Sequence, residues 1–235
     1  MIWALHGFLG NAADWNPFRE QLEAASGAEL RAVNLFDRPL AEETPARWAV
    51  RFTRSVRNLD SSPILLGYSL GGRLALHALL EQPRLFSAAI IVSAGLGVEG
   101  EAERQKRRVV DDSWAARFES DDWSSVIESW NAQPVFGGSG ALLPRQESDF
   151  DRQALTTALR WWSPAVQEPL GARLPEIETP ILWIAGERDA TYAEQGRRAV
   201  ELLPRAELWI APDAGHRVPW DVPEEFTARV GGFLS

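Results

Sequence analysis

Residues 63–82 read PILLGYSLGGRLALHALLEQ. A short apolar run, Ile64 to Leu66, meets Gly67-Tyr68-Ser69-Leu70-Gly71, and helix formers from Arg73 to Leu80 follow at once. This is a G-x-S-x-G pattern set between a strand and a helix, the context in which the motif lifts a serine on a sharp turn. The turn predicts strained backbone at Ser69 and a hydroxyl held beyond the C-terminal end of the strand. Gly67 and Gly71 remove the Cβ atoms that would collide where strand and helix close on each other. The N–H of Leu70, at the helix start, then faces any negative charge beside Ser69 Oγ.

Outward from this turn the chain keeps a strand–helix rhythm. Upstream, Ile2 to Leu5 is a short apolar strand that runs into His6-Gly7-Phe8-Leu9-Gly10. Asp14-Trp15-Asn16-Pro17 opens a helix to about Ala25, and Leu30 to Leu35 reads as the next strand. Thr44-Pro45 is an N-cap and first-turn pair, and its helix carries Trp48, Phe52 and Val56 on one face. Downstream, residues 88–93 form a continuous apolar run, as in a buried parallel strand. From Gly95 to about Arg173 the alternation stops. That stretch is charged and rich in helix formers, holds Trp114, Trp123, Trp130, Trp161 and Trp162, and is interrupted by Gly137-Gly138-Ser139-Gly140. It reads as an insertion of three or four short helices. The rhythm resumes with Thr179-Pro180, a strand at 181–185, a helix at about 192–203, a strand at 206–210 and a last helix from about Pro223 to Phe233. Six strands separated mostly by helices predict an α/β fold with a doubly wound, mostly parallel sheet. The expected organisation is a core of residues 1–95 and 174–235, with a helical lid inserted at 96–173.

Composition excludes several classes. A chain of 235 residues, 45% of them hydrophobic, can bury one large core. A net charge of −9 and a pI near 5.0 argue against nucleic acid and anionic membrane as partners. With no cysteine, disulfides and thiolate metal sites are excluded. No apolar run approaches a membrane span, and Met1 is followed by no basic leader, so the expected location is cytoplasmic. Monomer and homodimer both stay open.

Sites in such sheets lie beyond the strand C-termini. His6, Ser69, Asp189 and His216 all fall just after predicted strands. A serine hydroxyl is a poor nucleophile or base alone; it needs an imidazole to take its proton and a carboxylate to orient that imidazole. The order Ser69, Asp189, His216 is the order found on this kind of sheet. Glu187 and Asp213 compete for the acid role, and position directly after Gly186 favours Asp189. An oxyanion hole needs two N–H donors; Leu70 supplies one and Phe8, in the loop after the first strand, the other. His6 is expected to steer that loop, and His77 on the elbow helix to be structural. No histidine pair has ligand spacing, so neither metal nor cofactor is called for.

With the serine elbow, the His6-Gly7-Phe8 loop, Asp189 and His216 in place, the chain resembles the α/β-hydrolase superfamily over nearly its whole length. The first two strands common in that fold are missing or minimal, and Phe36-Asp37-Arg38-Pro39 stands where a Gly-His-Gly segment is usual. A narrower similarity is to the 2-succinyl-6-hydroxy-2,4-cyclohexadiene-1-carboxylate (SHCHC) synthases of menaquinone biosynthesis. It is carried by Tyr68-Ser69-Leu70-Gly71-Gly72-Arg73, by Ala102-Glu103-Arg104-Gln105 and by Trp130-Asn131-Ala132-Gln133-Pro134-Val135-Phe136. The resemblance implies an anionic small-molecule substrate, an enolpyruvyl compound from which the triad takes a ring proton while pyruvate is eliminated. It implies that Arg73 and Arg104 bind substrate carboxylates and that Trp130 lines the pocket. His6, Tyr68 and, as the third arginine, Arg145 join the substrate-binding set. Arginine suits carboxylates because its planar fork binds two oxygens at once. Arg107 and Arg108 adjoin Arg104, so a plain charged helix face competes with the ligand reading there. The alternative reaction is carboxylic-ester or thioester hydrolysis on the same triad; a non-catalytic binding protein on the same scaffold is the third possibility.

Overall fold

The computed structural model describes residues 1–36, 40, 42–139 and 143–235. Its sheet is built from β1 (Ile2–Leu5), β2 (Leu30–Val33), β3 (Ile64–Tyr68), β4 (Ala88–Val92), β5 (Ile181–Gly186) and β6 (Ala206–Ala211). All six strands anticipated from the sequence are present. They pair in the order β2-β1-β3-β4-β5-β6, and every pairing is parallel. Ile2 lies opposite Leu30 on one side and Ile64 on the other. The chain therefore leaves β1 in one direction and returns to its other flank, and the reversal of strand order falls between β1 and β3. That is where an open α/β sheet leaves a crevice beyond its strand ends.

Both faces of the sheet are covered. Alternate strand residues feed two separate cores, as the period of two requires. Trp3, Leu5, Leu65, Ile91 and Trp183 face one core, and Ile2, Ala4, Leu66, Ile90 and Ile184 the other. The first core packs on α2 (Pro45–Leu59), through Trp48, Phe52 and Val56, and on α3 (Leu70–Glu81), through Leu74 and Ala78. The second packs on α1 (Arg19–Ser26) through Leu22 and on the C-terminal helix, residues 223–234, through Phe226 and Val230. The expected helix at 14–25 instead begins as a tighter 3-10 stretch, Ala12–Phe18, because Asn11 caps it reciprocally with Asp14 and Pro17 interrupts it.

Between β4 and β5 lie α4 (Glu101–Ser120), α5 (Trp123–Asn131) and α6 (Arg152–Trp161). The sequence suggested only short helices here; α4 runs for 20 residues. It buries only a narrow stripe, Asp111, Ala115 and Phe118, which hid its length among charged residues. The segment is joined to the core by aromatic contacts: Phe8, after β1, sits 5.5 Å from Phe118 and 4.8 Å from Trp130 between ring centroids. Asp37, Arg38 and Pro39, which stand at the usual Gly-His-Gly position, lie outside the described residues, as does Gly140 of the glycine-rich break. No helix among the described residues is long and apolar enough to cross a membrane.

Candidate active site

Ser69 sits between β3 and α3 with φ 54° and ψ −112°, a left-handed value that few non-glycine residues adopt. Its amide donates to the carbonyl of Val92 at 2.8 Å, which ties the turn to the neighbouring strand. The turn can close only because two side chains are missing. A Cβ on Gly71 would lie 2.3 Å from the carbonyl oxygen of Leu5, and one on Gly67 would lie 2.6 Å from the carbonyl oxygen of Gly71.

Ser69 Oγ is 3.0 Å from His216 Nε2, and His216 Nδ1 is 2.6 Å from Asp189 Oδ2. His216 and Asp189 are both buried. The other two acids considered for this position are engaged elsewhere at the surface: Asp213 pairs with Arg188, and Glu187 accepts from the amide of Asp213. Asp189 also caps α7 (Ala190–Leu202), its Oδ1 accepting from the amide of Tyr192 at 3.2 Å. A cap and a histidine orienter are thus the same side chain, one oxygen for each task. Since Asp189 Oδ2 accepts the Nδ1 proton, Nε2 carries the lone pair that faces the serine. The arrangement can withdraw the hydroxyl proton when Ser69 attacks carbon or hydrogen.

Leu70 opens α3, where the first N–H groups have no acceptor within the helix. Phe8 and Leu70 border the same cavity as Ser69. That cavity measures about 440 Å³ and is lined on its apolar side by residues that include Trp130 and Phe136, a size suited to a small organic molecule. Arg73 lines its inner wall, donating from Nη1 to Gln167 Oε1 at 2.8 Å and from Nη2 to the carbonyl of Trp162 at 2.7 Å. No carboxylate among the described residues lies within ion-pair distance of it. Burial pulls its pKa down to about 10, so it stays cationic at neutral pH.

Four residues expected to contact substrate are placed as follows. His6 is fully buried and both ring nitrogens are spent: Nδ1 donates to the carbonyl of Gly7 at 2.8 Å and Nε2 accepts from the amide of Leu35 at 2.9 Å. Burial lowers its pKa to about 4, in keeping with a neutral ring that ties the loop after β1 to the chain just after β2. Arg104 does not border the cavity; it donates to the carbonyl of Ala165 at 3.0 Å. Arg107, one turn further along α4, borders it instead, clamped by both oxygens of Asp111 at 3.0 and 2.9 Å. Arg145 is held in a two-pronged pair with Asp14, at 2.7 and 2.8 Å, with side chains only 10% and 9% exposed. Tyr68 borders not the main cavity but a side pocket of about 50 Å³, shared with Ser69, Phe8, Trp130 and Arg145. Its ring lies 5.6 Å from that of His216, and burial raises the phenol pKa.

Sequence reading missed Arg107, Asp111, Gln167 and Tyr192. The Tyr192 ring lies 4.6 Å from that of His216; its place three residues beyond Asp189, in the first turn of a helix, was the available signal. Among the described residues no cluster of three or more His, Asp or Glu side chains is arranged to hold a metal ion.

Comparison with known proteins agrees with this geometry. Residues 4–229 match the alpha/beta hydrolase family. SHCHC synthase of Serratia proteamaculans is 33% identical, the match covering 100% of this chain and 92% of the relative. The enzyme of the same name from Salmonella paratyphi C is 29% identical over 93% of this chain and 87% of its own. Among solved structures, MenH from S. aureus superposes with a TM-score of 0.89 at 25% identity, covering 99% of this chain and 92% of that one. A serine elbow, a histidine and acid in hydrogen-bonded series, and a match along almost the entire chain make this protein a member of the α/β-hydrolase family, similar over its length to the SHCHC synthases.

Proposed function

We propose that the protein is a carbon–oxygen lyase of the SHCHC synthase type, acting in menaquinone biosynthesis on an enolpyruvyl cyclohexene carboxylate. Ser69, His216 and Asp189 are its triad, the amides of Phe8 and Leu70 its oxyanion hole, and the helices of residues 96–173 its lid. His216 Nε2 takes the hydroxyl proton as Ser69 Oγ removes a proton from the ring. The released electron pair forms a ring double bond and breaks the bond from ring carbon to enolpyruvyl oxygen. The protonated His216 returns its proton to the departing enolate, which becomes pyruvate. Charge that builds on the substrate's acyl oxygen faces the two amides. No acyl-enzyme is needed, so no water has to be admitted.

One observation carries this reading: a partly buried arginine, Arg73, stands in the serine's own cavity with no acidic partner among the described residues. A guanidinium that shares the nucleophile's cavity and is left uncompensated suits a substrate that brings carboxylates. A simple ester hydrolase would use the same triad but has no need of that charge. Trp130 and Phe136 supply apolar surface for a ring. Incubation with the enolpyruvyl precursor, with pyruvate followed through lactate dehydrogenase, tests the proposal. Release above background that disappears in Ser69→Ala is expected. Turnover of p-nitrophenyl esters without any pyruvate release would assign the triad to hydrolysis instead.

A further inference from the structure

The stretch Trp162–Gln167 belongs to none of the motifs that point to the triad, yet both cavity arginines are tied to it. Arg73 donates to the carbonyl of Trp162 and to Oε1 of Gln167. Arg107 is clamped by Asp111, and Asp111 in turn accepts from the hydroxyl of Ser163. The stretch forms a bracket tied down by its own hydrogen bonds. The amides of Val166 and Gln167 both donate to the carbonyl of Ser163, at 3.0 and 3.1 Å, and Trp162 Nε1 donates to the carbonyl of Glu43 at 3.1 Å. Trp162, Ser163 and Gln167 are all buried.

The bracket holds its two guanidinium groups by acceptors of unlike charge. Arg107 meets a carboxylate. Arg73 meets two neutral oxygens. A neutral acceptor aims the fork and leaves its charge intact, whereas a carboxylate would aim it and cancel it. The remaining end of the Gln167 amide, Nε2, is buried with no partner among the described residues. Burying an unpaired donor is unfavourable, so the group that justifies this side chain is its oxygen, and that oxygen is occupied by Arg73.

We propose that Gln167 is a positioning residue that sets substrate specificity: it directs Arg73 into the cavity through an uncharged oxygen and so preserves a positive charge for a substrate carboxylate. The inference rests on reading Arg73 as a carboxylate-binding group. It is tested by binding rather than turnover, with propane-1,2,3-tricarboxylate as the probe and its triamide as the uncharged control, both by titration calorimetry. Wild-type protein should bind the tricarboxylate and not the triamide. Gln167→Glu, which keeps shape and adds charge, should weaken binding by about tenfold or more. Gln167→Met, which keeps volume and removes the acceptor, should weaken it less. A packing role would reverse that order, since glutamate is closer to glutamine in form. Should the Glu variant not fold, Gln167→Met decides alone: its affinity should exceed that of Arg73→Met. Equal affinity in wild type and Gln167→Glu, a Met variant as weak as Arg73→Met, or no tricarboxylate binding in wild type overturns the assignment. Absent pyruvate release with this binding order intact would remove the proposed reaction and leave the assignment standing.

Discussion

Ser69, His216 and Asp189 form one unbroken series of hydrogen bonds, so their removal should not be additive. Ser69→Ala or His216→Ala should each reduce kcat for the proposed pyruvate release by about 10⁴-fold or more, and the double variant should be little worse than either. Two other histidines bear on stability rather than turnover. His6 and His77 are buried, and burial lowers each pKa from 6.5 to about 4. Between those values the unfolded chain binds protons that the native state refuses. Their stabilising effect is therefore complete above pH 6.5 and is lost as pH falls toward 4, up to about 3 kcal/mol for each residue. Urea midpoints measured across that range should fall accordingly. His77→Leu should flatten the slope without lowering stability at pH 7, because His77 Nε2 has no partner among the described residues.

At the level of elements, the elbow depends on a helix and a strand touching through bare backbone. Gly71→Ala would drive a methyl group to 2.3 Å from the carbonyl oxygen of Leu5, and that contact is with main chain, which cannot swing aside. A loss of about 3 kcal/mol or more is expected in chemical denaturation, with displacement of Ser69 from His216. These backbone-dominated features were the ones legible in the sequence. Parallel strands buried on both faces are unbroken apolar runs, and G-x-S-x-G is a local pattern, so the sheet, Ser69 and the loop histidine could all be located from neighbours in the chain. Helix α4 was less legible. Arg104 and Arg107 lie on nearly the same stripe as Asp111 and Phe118, and what separates them is one turn of distance along the axis. Only the packing of α4 against the core fixes where along that axis the cavity falls. Gln167 was invisible for a related reason: its partner, Arg73, is 94 positions away, and a lone glutamine after an apolar stretch carries no spacing to read. Arg145 was expected as a third carboxylate-binding arginine; its pairing with Asp14, 131 positions away, could not be read from either site.

Across the whole molecule, the Asp14–Arg145 pair links the 3-10 stretch after β1 to the chain between α5 and α6. Breaking it leaves one shielded carboxylate with, among the described residues, only the amide of Asn11 to donate to it. Arg145→Met should cost about 3 kcal/mol and speed chymotrypsin cleavage around Phe150, whereas the exposed pair Arg84–Glu178 should be removable with little effect on either measurement. The twisted backbone at Ser69 has a consequence for the whole chain. A residue forced to φ 54° relaxes if its side chain is deleted, so Ser69→Gly should melt at a higher temperature than the active protein. Robustness and reactivity are set against each other at that single position, and any search for hardier descendants of this enzyme that does not also score turnover will tend to select the dead ones.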